Sequence, residues 1–248
     1  MSIPPQADWN ADLYLRFEDE RTRPSIDLIQ RVRLDQPTRC IDLGCGPGNS
    51  TELVAARYPS ARIEGLDSSP DMIEKARKRL PNYEFGLADL GAWVAPEPYD
   101  LIFANAVLQW IPDHERLFKR LAASLTSGGV LAVQMPDNLS EPSHVSMEEI
   151  AAERPWAEQL AHAADAKASI GSFSDYRRWL QQVGCDVEIW KTTYVHALNG
   201  HQAIVDWFMS TGLKPYVDLE LTRFRGLFTA MAGQVSSWCS LSYSMGER

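Results

Sequence analysis

The chain has 248 residues, 45% of them hydrophobic, enough to close a sizeable core around one α/β domain carrying an insertion. Its 33 acidic residues outnumber 24 basic ones for a net charge of −9, which argues against a nucleic acid or an anionic membrane as the main partner. Cys40, Cys45, Cys185 and Cys239 lack a paired spacing, His162, His196 and His201 lack a metal spacing, and no apolar run approaches the roughly 20 residues of a membrane span. The expectation is a cytoplasmic protein without a metal, monomeric or weakly self-associating.

The chain opens with Trp9, Leu13, Tyr14 and Phe17 at near-helical spacing, and Pro24-Ser25 starts a further helical stretch, so residues 1–35 read as a helical lid of the form helix, break, helix. From Cys40 onward short apolar runs alternate with helical stretches: strands at 40–43, 63–66, 83–87, 100–104 and 130–135, helices at 50–58, 70–80 and 117–125. Alternation of this kind predicts a doubly wound, mostly parallel sheet with helices on both faces. Ser69-Pro70-Asp71 sets an N-cap, a proline in the first turn and a first-turn acid, and Gly128-Gly129 reads as a helix stop. Residues 136–173 break the rhythm with Pro, Ser, Glu and Ala and two helical pieces at 147–153 and 155–167, which predicts a cap insert. The pattern resumes with a helix at 175–183 stopped by Gly184, a strand over 187–197, and helices at 202–211 and 219–231 ending at Gly212 and Gly233.

Chemistry concentrates in Asp42-Leu-Gly44-Cys45-Gly46-Pro-Gly48, where an apolar run turns straight into a helix. Glycines there tolerate positive φ and let a ligand approach bare backbone. Asp67 ends the next apolar run, about 20 residues beyond the loop, where doubly wound nucleotide-binding folds place an acid for ribose hydroxyls. A dinucleotide fingerprint would place glycine or alanine where Asn49 stands, which argues against a nicotinamide cofactor. The loop, together with Gly65-Leu-Asp67-Ser68-Ser-Pro-Asp-Met72, resembles the class I S-adenosylmethionine-dependent methyltransferases over residues 40–135. That resemblance implies a Rossmann-like fold and S-adenosylmethionine as methyl donor, the loop packing on its methionine part and Asp67, with Ser68 and Met72 beside it, on its ribose. It also implies that Asp89 and Leu90 meet the adenine and that Asn105 completes the set.

Asn105-Ala-Val-Leu-Gln109-Trp110 follows the fourth strand, where such a sheet opens its crevice. This segment, with Gln134, the opening stretch 9–24 and the stretch 207–216, narrows the resemblance to a branch that esterifies a small tricarboxylic acid. A substrate of that class asks for forked cationic donors. Arg21 and Arg23, beside Glu18, Asp19 and Glu20, are the first candidates; Gln109, Trp110, Gln134 and His144 are the second, and His114 reads as exposed. A carboxylate acceptor is ionised at neutral pH, its pKa being about 4, so no acid–base residue is expected. Methylation of another small acid or of carbon, and a module that only binds the donor, remain alternatives. The tail 234–248 departs from the family's closing strand, offering at most a poor one around Trp238 and Tyr243.

Overall fold

The computed structural model describes residues 15–152, 170–209 and 238–244. The chain divides into two compact units, one of residues 19–136, 169–192 and 243–248 and the other of residues 1–18, 137–168 and 193–242. In the first, helix α1 (Glu18–Arg31) leads into β1 (Arg39–Leu43), α2 (Asn49–Arg57), β2 (Arg62–Asp67), α3 (Pro70–Arg79), β3 (Glu84–Leu87), β4 (Tyr99–Asn105), a single 3-10 turn (Leu108–Trp110), α4 (His114–Ala123) and β5 (Leu125–Pro136). The later elements are α5 (Pro142–Ala152), α6 (Phe173–Gln181), β6 (Lys191–Ala197), α7 (Gly200–Met209) and β7 (Trp238–Ser244). Strand order is β3-β2-β1-β4-β5-β7-β6, the first five strands parallel and β7 antiparallel to β5 through Met135↔Ser244 and Pro136↔Tyr243.

Apolar side chains on both faces explain the near-continuous hydrophobic runs of the central strands. On one face Cys40, Leu101, Phe103, Val130 and Ala132 pack with Leu28, Ile29 and Val32 of α1 and Val54, Ala55 and Tyr58. On the other, Ile41, Leu43, Ile102, Ala104, Leu131, Val133 and Met135 pack with Leu117, Phe118 and Leu121 of α4 and Tyr176 and Leu180 of α6. Each Val, Leu, Ile, Phe or Met among them contributes about 1.5–3 kcal/mol by leaving water. The starts follow local chemistry: Ser69 caps α3 by accepting from the Met72 amide at 3.2 Å, and Ser172 with Asp175 forms a capping box on α6.

Several elements differ from the sequence reading. Pro24 lies inside α1 instead of opening a helix, and the turn falls at Arg16 and Phe17. The proline's missing amide costs about 3 kcal/mol in a helix, and burial of Pro24 together with that of Leu28 and Ile29, which pack on the strands, offsets it. Gly128 and Gly129 do not stop a helix. The helix ends at Ala123, and both glycines lie within β5, at φ +77° for Gly128, where the pairing with β4 shifts register between Tyr99 and Leu101. A Cβ on Gly129 would stand 3.0 Å from the Tyr99 carbonyl oxygen, a tight approach to backbone, and the positive φ of Gly128 strains any other residue, so the bulge favours glycine at both positions. The sixth strand begins at Lys191, four residues late, because Val187 and Ile189 pack into the core and Trp190 lies under the Arg31 guanidinium, 4.1 Å away, without strand pairing.

The second helix of the cap insert at 155–167, the helix at 219–231, Gly212 and Gly233, and Trp9, Leu13 and Tyr14 lie outside the described residues. Phe17 does appear, edge-on to Trp207 with ring centroids 5.2 Å apart. Among the described residues no helix is long and apolar enough to cross a membrane, no cluster could hold a metal ion, and Cys40, Cys45 and Cys185 are free thiols.

Candidate functional site

The glycine loop sits between the carboxyl ends of β1 and β4. Gly44, at φ +68°, lies so close to Val107 that a Cβ would fall 2.3 Å from its Cγ2, so only glycine fits. This contact brings the turn after β4 against the loop. The Gly44 and Cys45 amides donate to the Leu66 carbonyl at 2.7 and 2.9 Å, and the Gly46 amide donates to Asp67 Oδ2 at 3.0 Å. Nothing stands within 4 Å of where a Gly46 side chain would begin, so the loop is open there. Gly48, at φ +92°, lets α2 start against Ala76 of α3. The Cys45 side chain is buried beside Ile73, Ala76 and Phe85, and burial pushes its thiol pKa far up, so this residue offers the site backbone and not a thiolate.

Asp67 Oδ1 accepts from the Ser69 amide at 2.9 Å, so the two backbone bonds fix the carboxylate beside the loop. The Ala88 amide donates to the Asp67 carbonyl at 2.9 Å, which ties the end of β3 to the same edge. There Asp89 is exposed and accepts from the Gly91 amide at 2.9 Å, while Leu90 is buried, with its carbonyl accepting from Arg120 at 2.6 Å. Ser68 is exposed and Met72 buried.

Asp42 is fully buried; its Oδ2 accepts from the Ser50 and Thr51 hydroxyls at 2.6 and 2.7 Å, and its Oδ1 has no protein partner. Burial pushes its carboxyl up to about 7 against the pull of the two hydroxyls, with the charge of Asp67 adding to the rise. Asn105, at the end of β4, likewise has Oδ1 buried without a partner. An orphaned carboxylate oxygen and an orphaned amide oxygen on neighbouring strands suit a ligand ammonium.

After Asn105 the chain turns through Ala106, at φ +54° despite its side chain, a strained conformation of the sort that concentrates at functional sites. Gln109 donates to the Ala106 carbonyl at 2.7 Å and keeps Oε1 buried without a partner, and Trp110 is partly buried in the same turn. Gln134, the register partner of Asn105, is wholly buried with both amide atoms unpartnered.

His114 corrects the sequence reading: it is 5% exposed, not on the surface. Its Nε2 donates to the Leu108 carbonyl at 3.0 Å, which leaves Nδ1 to accept from the Tyr176 hydroxyl at 2.5 Å, the assignment following from the carbonyl's being only an acceptor. Burial lowers its pKa and keeps it neutral, so this histidine braces the turn.

Of the two arginine candidates, Arg21 is buried on the inner stripe of α1 and Arg23 is exposed. Thr22, between them, accepts from Asn49 at 3.2 Å, which fastens this end of α1 to the start of α2 beside the glycine loop. His144 belongs to the other compact unit, buried and edge-on to Phe208. Sequence reading missed the hydroxyls of Ser50 and Thr51 that hold Asp42, although their place one turn past the loop carried the signal. It also missed Val107 against Gly44, for which the sequence carries none.

The family model described as a methyltransferase domain matches residues 14–188. A trans-aconitate 2-methyltransferase of Methylobacterium nodulans is 58% identical over 212 residues, 86% of this chain and 82% of that protein. One of Rhodopseudomonas palustris strain BisA53 is 48% identical over 232 residues, 93% and 91% of the two chains. Among solved structures, phosphoethanolamine N-methyltransferase 2 of Haemonchus contortus, in complex with S-adenosyl-L-methionine, superposes with a TM-score of 0.56 over 90% of this chain and 51% of that one, at 15% identity, a likeness of fold.

Proposed function

The chain belongs to the trans-aconitate 2-methyltransferase family of methyltransferases, and from that membership we propose that it transfers a methyl group from S-adenosylmethionine to one carboxylate of trans-aconitate. The products are S-adenosylhomocysteine and a monomethyl ester. The contact of Gly44 with Val107 carries the reading, because it sets the acceptor-side turn directly against the loop that takes the donor.

The residues present fit the donor. The open backbone at Gly46 leaves room for it, Asp67 presents a carboxylate beside that opening to ribose hydroxyls, and the orphaned oxygens of Asp42 and Asn105 match its ammonium. Asp89 and Leu90 are assigned to the adenine edge. When bound, the donor would supply a methyl carbon on a positively charged sulfur for transfer to an acceptor carboxylate oxygen, the sulfur retaining the electron pair of the bond given up. With the acceptor already ionised, the chain's task is orientation and exclusion of water, effects that contribute up to about 7–11 kcal/mol. Gln109 and Trp110 line the acceptor side, and buried Arg21 and Gln134, with Arg23 on the exposed side of the same helix as Arg21, offer the donors that carboxylates demand. The reading places the enzyme in the cytoplasm, where free thiols such as Cys40 and Cys185 persist, as a monomer or weak homo-oligomer.

The test is transfer of labelled methyl to trans-aconitate, cis-aconitate, isocitrate and citrate, with base lability of the product as the ester criterion. Preferential base-labile labelling of trans-aconitate is expected. A methyl on carbon or nitrogen, or donor binding with no transfer to any of the four acids, overturns the reading.

A further inference from the structure

Gln134 has no internal reason to be polar. It is 0% exposed, neither amide atom has a partner, and the neighbouring positions of β5 on its own face, Val130 and Ala132, are apolar. Ser25 is also 0% exposed with its hydroxyl unpartnered, although a helical serine normally bonds a carbonyl one turn back. Buried polar groups left unmatched inside a chain point to a partner from outside it.

Register and helix phase place these groups on one face. Gln134 pairs with Asn105 and Ala132 with Phe103, and Phe103 pairs with Asp42, so Gln134, Asn105 and Asp42 share the face on which Leu28, Ile29 and Val32 pack. Arg21, Ser25 and Leu28 follow at helical spacing along the buried stripe of α1. The Val32 end of α1 leads to the start of β1, while the Thr22 hydroxyl accepts from Asn49, just past the carboxyl end of β1. Helix α1 therefore runs opposite to the strands, and Arg21 and Ser25 stand over the carboxyl end of the face that holds Gln134.

We propose that Arg21, Ser25 and Gln134 form a carboxylate-binding pocket between the N-terminal half of α1 and the carboxyl ends of β4 and β5. A guanidinium, a hydroxyl and an amide NH2 are the donors a carboxylate takes in charge-assisted bonds, and Arg21 offsets the carboxylates of Asp42 and Asp67 that would otherwise repel an anion. The pocket rests on the function proposed above, under which two carboxylate-bearing molecules meet here: the tricarboxylate acceptor and the methyl donor with its α-carboxylate. The pocket chemistry is common to both, and the experiment separates them.

Wild type, Gln134→Met, Ser25→Ala and Arg21→Gln, each as the full chain, are titrated calorimetrically with S-adenosylhomocysteine, with its analogue lacking the α-carboxylate, and with trans-aconitate in the presence of S-adenosylhomocysteine. The pocket requires a tenfold or greater loss of affinity for one carboxylate-bearing ligand in Gln134→Met and a smaller loss in Ser25→Ala. If S-adenosylhomocysteine weakens and the decarboxylated analogue does not, the donor fills the pocket; if only trans-aconitate weakens, the acceptor does. Ligand-free thermal midpoints of Gln134→Met and Ser25→Ala should not fall, since neither change removes a hydrogen bond within the chain. Unchanged affinity for both carboxylate-bearing ligands, or midpoints lowered by several degrees in both variants, refutes the pocket. Failure of the wild type to esterify trans-aconitate would refute the proposed function instead, and leaves the S-adenosylhomocysteine titration decisive for the pocket.

Discussion

Asp42→Asn should shift the balance of stability between acid and alkaline pH in the ligand-free protein. The folded carboxyl titrates near 7 and the unfolded one near 3.8. Between those values the folded chain keeps a proton that the unfolded chain has released, so stability falls as pH rises through this window and levels off above it. From pH 5 to pH 8 the loss attributable to Asp42 is about 3 kcal/mol, at about 1.4 kcal/mol per pKa unit. Asparagine accepts from Ser50 and Thr51 as the acid does but cannot ionise. Its NH2 inherits the unpartnered position of Oδ1, a pH-independent cost of about 1–3 kcal/mol. Thermal unfolding of both proteins at pH 5 and pH 8 isolates the effect as a difference of differences, expected at roughly 5–10 °C in favour of the variant at pH 8, taking about 2–4 °C per kcal/mol for a chain of this size. An equal stability difference at both pH values would refute the reasoning, since it would mean that Asp42 does not titrate between them. The same reasoning makes wild-type affinity for S-adenosylhomocysteine rise with pH up to about 7, where Asp42 becomes the charge partner of the ammonium, and makes that rise absent in the variant.

Gly44→Ala should raise the donor KM tenfold or more, because its Cβ would meet Val107 at 2.3 Å, and the double change with Val107→Ala should recover part of the loss in steady-state kinetics. Tyr176→Phe leaves His114 Nδ1 and the Gly171 amide without their shared partner and should cost about 1–3 kcal/mol per orphaned group in denaturant unfolding. Asp67→Ala should raise the donor KM at least tenfold, since it removes both the ribose acceptor and the bond that holds the Gly46 amide. Arg21→Ala should lower kcat/KM strongly and exposed Arg23→Ala by less than threefold; equal effects would show that burial on α1 does not decide between them.

The parallel sheet was legible because both faces of its central strands are apolar, and the loop because glycine at Gly44, Gly46 and Gly48 answers positive φ at each. Local signals failed where distant residues decided. Gly128-Gly129 looks like a helix stop unless Tyr99, about 30 residues earlier in the chain, is known to press on that backbone. Pro24 looks like a break unless the burial of the helix stripe it shares with Leu28 and Ile29 is in view. His114 looks exposed because its partner Tyr176 lies 62 residues away. Arg21 and Arg23 differ by about 200° of helix phase, which the motif around them does not record but the buried stripe of Pro24, Ser25, Leu28 and Ile29 does. Gln134 was visible as a polar residue in an apolar run; that its amide lacks partners is a property of the packed sheet.

The chain leaves its parallel sheet at Pro136 and is back in the same compact unit by Ile170, where the Gly171 amide donates to Tyr176, which donates to the histidine that holds the Leu108 carbonyl. Positions 136 and 171 are therefore where an exchanged segment would leave and rejoin the unit that holds the loop. Its downstream end would inherit a ready-made anchor, the Gly171 amide on Tyr176, while the loop, Asp42 and Asp67 stay untouched.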